Sequence, residues 1–157
     1  MSRKKKSGLL LALLAMACVL RAQKTIGREE VLADPAWLEE YRFFIPDPTF
    51  LHYLDGRLGE EAGPVEIDVY FAFWCEDSRR EVPRMQKIVD SLMNKGKVTL
   101  RFLETARKAS REQKYYVAER QIERIPTFVC SRGGREIGRI VEWPQSSLVE
   151  DLLTIVF

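Results

Sequence analysis

The sequence predicts an α/β protein: a mixed central sheet flanked by helices, with a helical N-terminal extension. Three observations carry this. Residues 65–74 (Val-Glu-Ile-Asp-Val-Tyr-Phe-Ala-Phe-Trp) are dense in β-branched and aromatic side chains, as a buried strand requires. A helical stretch and a second short apolar run follow at once, which is the order of a βαβ unit. Near the C-terminus, Arg132-Gly133-Gly134-Arg135 separates two strand-like runs, as in a β-hairpin.

The N-terminus stands apart. Arg3, Lys4, Lys5 and Lys6 precede an apolar run from Gly8 to Leu20. At about 13 residues the run is short for a bilayer span but suits the apolar region of a secretory signal. A buried helix behind a basic start is the ordinary alternative, and the absence of polar residues within the run argues against it. Residues 1–22 are therefore read as a signal peptide. Cleavage is expected after Leu20-Arg21-Ala22. The alternative places it after Ala15-Met16-Ala17, with Cys18 acylated as in a lipoprotein. Either way the expected location is periplasmic or secreted, in the cell envelope, with the membrane touched only through the signal or a lipid on Cys18. Without this segment's five basic residues the formal charge of +2 becomes about −3, so no nucleic-acid reading follows.

Residues 23–63 read as a helical segment packed on the core. Asp34-Pro35 supplies an N-cap and a proline at the first helical position. Trp37, Leu38, Tyr41 and Phe44 recur at helical spacing. Pro46 and Pro48 interrupt, Asp47 can cap a second helix with Phe50, Leu51 and Leu54 on its apolar side, and Asp55-Gly56 is expected to end it. The main domain then spans 64–157. After the strand at 65–74 comes a helix from about Asp77 to Asn94, a strand from Val98 to Leu103, and a helix from Ser110 to Glu119. The hairpin strands follow at Thr127–Ser131 and Glu136–Glu142, and a last helix runs from Ser146 to Val156.

The chemistry-bearing residues cluster at Trp74-Cys75-Glu76-Asp77-Ser78. A cysteine where a strand gives way to a helix meets unpaired N–H groups and the positive end of the helix dipole. Both favour thiolate, the form that attacks disulfides. Pro83 stands eight residues beyond the cysteine, and Ile125-Pro126-Thr127 opens the hairpin. Over residues 65–157 this set resembles the thioredoxin superfamily. More narrowly, with Arg80-Glu81-Val82-Pro83 and Gly138-Arg139-Ile140-Val141-Glu142, it is similar to bacterial thioredoxin-like proteins carrying Trp-Cys-x-Asp-Ser.

The resemblance implies a catalytic set of Cys75, Ser78 and Pro126, with Pro126 cis beside Cys75. It also implies substrate contacts from Trp74, Ile125 and Thr127, the Ile125 backbone facing an extended substrate chain. Trp74 would shield the thiol. Serine at 78 departs from the dithiol members, which resolve the mixed disulfide with a second cysteine there. A serine hydroxyl cannot do that, although it can donate a hydrogen bond to the Cys75 sulfur. What the resemblance implies is therefore monothiol chemistry: a thiol–disulfide oxidoreductase or isomerase acting with a disulfide- or thiol-containing protein or a low-molecular-weight thiol. The alternative is a non-enzymatic module that binds extended peptide beside Pro126. A second departure is Val69, where many thioredoxins bury an acidic residue. Asp68 is adjacent but faces the other side of a strand.

The remaining candidates have ordinary readings. Asp77 suits the first turn of the helix. Arg79, Arg80 and Arg84 read as helix charges paired with Glu76 or Glu81. Cys130 lies four residues beyond Pro126, roughly 13 Å along a strand, whereas a disulfide needs Cα atoms within about 7 Å. It reads as a buried thiol. His52, the sole histidine, has no ligand-type neighbour in sequence, so no metal and no cofactor is expected. Trp37 and Trp143 read as core residues. A monomer is expected.

Overall fold

A computed structural model describes residues 24–60, 63–105 and 120–157. The elements, in order, are β1 (Lys24–Ile26), α1 (Arg28–Val31), α2 (Pro35–Phe43), α3 (Pro48–Glu60), β2 (Val65–Phe71), α4 (Glu76–Ser91), a 3-10 turn (Lys95–Lys97), β3 (Val98–Glu104), β4 (Thr127–Arg132), β5 (Arg135–Val141) and α5 (Leu148–Val156). The strands form one five-stranded mixed sheet in the order β1-β3-β2-β4-β5. β2 is parallel to β3, as a helical crossover between them requires, and antiparallel to β4. β4 and β5 make the hairpin, and Gly133 and Gly134 turn it with positive φ angles of 58° and 77°.

The period of two along β2 divides the molecule. Val65, Ile67, Val69 and Phe71 face a large apolar cluster built with Val82, Met85 and Ile88 of α4 and Leu148 and Leu152 of α5. The N-terminal helices add Val31, Trp37, Leu54 and Leu58 to it. Trp37 meets Phe71 and Phe73 with ring centroids 5.6 and 5.1 Å apart. The opposite face of β2 presents Tyr70, which joins Ala72, Ile122, Ile125 and Val129 in a smaller cluster that Cys75 and Leu103 border.

Several boundaries differ from the sequence reading. Lys24–Ile26, expected to be helical, is a strand on β3, with Lys24 opposite Glu104. Asp55-Gly56 does not end its helix, which continues to Glu60. Asp55 is buried, and its carboxylate accepts the Asn94 N–H at 2.8 Å, tying α3 to the turn after α4. Continuing the helix also buries Leu58. The expected helix at Ser110–Glu119 lies outside the described residues, as do residues 1–23.

Candidate functional site

β2 ends at Phe71 and α4 begins at Glu76, with Cys75 as the N-cap in extended conformation (φ −93°, ψ 122°). Its sulfur takes the position of an N-cap acceptor: the Ser78 N–H donates to Cys75 Sγ at 3.5 Å. The Cys75 carbonyl accepts the Arg79 N–H at 3.0 Å, which starts the helix. Asp77 sits in the first turn as expected, but it is not the cap; it pairs with Arg80 at 3.1 Å.

The Ser78 hydroxyl does not reach the sulfur as expected. Ser78 is fully buried beneath the turn, where its Oγ accepts the Ala72 N–H at 3.4 Å. The residue therefore serves Cys75 through its backbone and the strand end through its side chain.

Across from Cys75 lies the 124–127 loop. The Ile125–Pro126 peptide bond is cis. The Cys75 thiol donates to the Ile125 carbonyl at 3.4 Å. The flanking carbonyls are also taken: Arg124 O accepts the Thr127 hydroxyl at 2.7 Å, and Pro126 O accepts the Glu142 N–H at 2.7 Å. Three consecutive carbonyls thus pin this loop. Thr127 is buried and its hydroxyl is spent on Arg124, so its side chain is not presented to a substrate as expected. Glu142 bonds Pro126 by adopting a left-handed backbone (φ 64°), unusual for a residue with a side chain. Its carboxylate pairs with Arg124 at 2.7 Å.

Cys75 is partly exposed, and Trp74 beside it is 43% exposed, so the indole does not seal the sulfur from solvent. Trp143, expected in the core, is 55% exposed. The physical reason is Glu142: its left-handed turn ends β5 and swings the next side chain outward.

Arg80 and Arg84 are paired, as charges on a helix surface, and Arg79 is exposed. Arg80 bonds Glu81 at 2.6 Å, and Arg84 bonds Glu40 at 2.6 Å. Asp68 faces away from Val69 and its face of β2, and Arg101 grips it with bonds of 2.6 and 2.8 Å. Val69 is buried in the large cluster. His52 is exposed on α3. Among the described residues, no group of three or more His, Cys, Asp or Glu side chains could hold a metal ion. Nor is any described helix long and apolar enough to cross a membrane.

Cys130 points from β4 into the large cluster, on the other side of the sheet from the cluster Cys75 borders. Both are free thiols. Burial, with a smaller contribution from Glu136, pushes the Cys130 thiol up to about 12. The sequence reading missed three parts of the site: the Glu142–Pro126 link, the Arg124–Glu142 pair, and the outward Trp143. The one local signal was Trp143-Pro144 directly after a hairpin strand.

The sequence matches no protein-family model and no curated protein. Among solved structures, the fold is similar to that of a protein of unknown function from Pseudomonas aeruginosa. The TM-score is 0.54 at 16% identity, covering 77% of this chain and 81% of the other. The likeness is one of fold alone.

Proposed function

We propose that the chain is a thioredoxin-like protein that performs monothiol thiol–disulfide exchange at Cys75, outside the cytoplasm. One observation carries the reading. A partly exposed cysteine caps a 16-residue helix and faces the carbonyl that precedes a cis-proline, so the attacking group and a backbone docking edge adjoin. The export part rests on the N-terminal basic and apolar segment alone.

The chemistry balances without a cofactor. The Cys75 thiolate attacks one sulfur of a disulfide, a new Cys75 S–S bond forms, and the other sulfur leaves as thiolate. An external thiolate then attacks the mixed disulfide and regenerates Cys75. An extended substrate chain docks beside Pro126, where its N–H competes with the Cys75 thiol for the Ile125 carbonyl.

The test is Ser78→Cys. Positions 75 and 78 are neighbours across one helical turn, within reach of a disulfide. Wild type should accumulate a mixed disulfide on Cys75 after exposure to a small disulfide, and Ser78→Cys should discharge it and form an internal 75–78 bond. An inert Cys75 in both proteins would sink the exchange reading and favour a non-enzymatic peptide-binding module.

A further inference from the structure

We propose that Glu142 is a positioning residue for Cys75: its backbone fixes where the Ile125 carbonyl stands against the sulfur, and so how readily the thiol gives up its proton. This deepens the exchange reading, on which it rests only for the reaction that the thiolate goes on to perform.

The sulfur has two hydrogen bonds of opposite consequence. The Ser78 N–H donates to it at 3.5 Å, and the thiol donates to Ile125 O at 3.4 Å. A donor serves the thiolate better than the thiol. An acceptor serves only the thiol, because a carbonyl oxygen facing a thiolate repels it. The Ser78 bond belongs to the start of α4 and is fixed with the helix. The position of the Ile125 carbonyl depends instead on what holds the 124–127 loop.

Glu142 holds it. β5 ends at Val141, which is paired with Thr127. The Glu142 N–H, donating to Pro126 O at 2.7 Å, carries the hairpin one residue further, onto the carbonyl next to that of Ile125. The backbone turns left-handed to do so (φ 64°), and the Trp143 N–H folds back to the Val141 carbonyl at 2.9 Å. A three-residue turn of this hand is rare and strained for a residue with a side chain, and it persists only where its surroundings over-determine it. Here the surroundings are those two backbone bonds and the ion pair of the Glu142 carboxylate with Arg124, the residue before Ile125. One residue thus grips the loop on both sides of the Ile125–Pro126 bond. The bond from the Thr127 hydroxyl to Arg124 O joins the loop only to itself and does not replace this grip. A small displacement is enough to matter. The S–H group is a weak donor, and its bond to Ile125 O is already long.

The experiment compares Glu142→Gly, Glu142→Ala and Glu142→Val in the full chain. All three lose the same carboxylate and the same Arg124 pair, so any direct effect of charge on Cys75 is common to them. They differ in backbone: glycine adopts a positive φ freely, alanine at a cost, and β-branched valine at the greatest cost. Iodoacetamide at pH 7, read by peptide mapping, should label Cys75 fastest in the valine variant and slowest in the glycine variant. The span should be about threefold, the size of one weak hydrogen bond. At about pH 10, where the thiol is ionised in every variant, the rates should converge. Cys130 should stay protected throughout. Equal Cys75 rates across the series at pH 7, or the reverse order, would overturn the proposal. So would a gap of the same size at both pH values, which assigns the effect to exposure of the sulfur. A parallel rise at Cys130 would assign it to lost stability and overturn it equally. If the valine variant does not fold, the order of alanine over glycine decides. Glutathione disulfide separates this proposal from the exchange reading. Graded alkylation with no mixed disulfide on Cys75 sinks exchange alone, and flat alkylation with a mixed disulfide sinks the role of Glu142 alone.

Discussion

The chain places its two described thiols on opposite faces of one sheet, and their surroundings differ in almost every physical respect. Cys130 lies mid-strand in β4, fully buried, between the central strand and the hairpin partner. Cys75 lies at a strand-to-helix junction, partly exposed, with a backbone N–H from its own helix and a carbonyl from the facing loop. The same side chain meets apolar packing in one place and backbone hydrogen-bonding groups in the other. Regular secondary structure satisfies its own backbone, so Cys130 meets mainly apolar packing, with Glu136 a smaller influence. An element boundary leaves backbone groups spare, and Cys75 sits among them.

The largest effect expected of this contrast is in alkylation. At pH 8 a thiol at about 12 holds about a thousandfold less thiolate than an ordinary one at 9.0, and Cys130 is shielded from reagent as well. Iodoacetamide should therefore modify Cys75 in the native protein and leave Cys130 until the chain unfolds. Peptide mapping by mass spectrometry reads both sites at once. Comparable labelling of the two would break the comparison outright.

The second expectation concerns alkaline pH. The Cys130 thiol is raised in the native state, so below about pH 9 both states keep the proton and the group does not make stability pH-dependent. Between about 9 and about 12 the unfolded chain gives up the proton while the native chain keeps it. Stability should then fall as pH rises, by up to about 1.4 kcal/mol per pH unit from this group. Cys130→Ala removes the contribution. Its constant cost from the small cavity cancels when slopes are compared, so urea melts from pH 8.5 to 10.5 should be flatter for the variant. Parallel slopes would mean that Cys130 ionises as readily folded as unfolded.

What was legible in the sequence follows the same division between local and distant causes. Cys75 at a helix start, the strand before it and the Gly-Gly hairpin all depend on residues within a few positions. Each was readable from spacing and turn chemistry. Lys24–Ile26 was not, because a three-residue strand has no periodicity and its partner, β3, lies far along the chain. Asp55-Gly56 looked like a helix end, and only the buried contact with Asn94 explains why it is not one. Trp143 looked like core by residue type, and the left-handed backbone of Glu142 decided otherwise. From the sequence, the Ser78 hydroxyl can donate to the sulfur. The competing acceptor role, toward Ala72 on the strand end, emerged only from the folded turn.

A third prediction probes how tightly the Cys130 side is closed. Gly138 lies opposite Cys130 on β5, and a methyl group there would stand 2.8 Å from Ile155 Cγ2 and 3.0 Å from its Cγ1. Ile155 is β-branched and packed against the core, so it cannot swing clear cheaply. Gly138→Ala should destabilise by about 1–3 kcal/mol through overpacking. Its urea midpoint should fall and Cys130 should label sooner. The rate at Cys75 should hold, since α4 and the 124–127 loop do not rest on this contact. A parallel change at Cys75 would show that the two faces are mechanically coupled.

The smallest effect comes from a flaw on the closed face, in α4. Gln86 lies on α4 among the side chains that fill the large cluster, 1% exposed, and neither its Nε2 nor its Oε1 has a hydrogen-bond partner among the described residues. The amide gives up its bonds to solvent on folding and regains none from those neighbours, which costs on the order of 1–3 kcal/mol. Methionine has nearly the same length and volume, and its flexible thioether adapts to an irregular gap. Gln86→Met should therefore raise stability by about 1 kcal/mol, part of the gain being lost to imperfect packing. It should leave both thiol reactivities as they are, because the change is on the apolar side and removes no bond that positions either sulfur. Denaturant melts at neutral pH measure the shift. A loss of stability of similar size would show that the amide is hydrogen-bonded in solution, so that the face behind Cys130 is less dry than its apolar lining implies. The protection expected of Cys130 would then rest on packing more than on exclusion of polar groups.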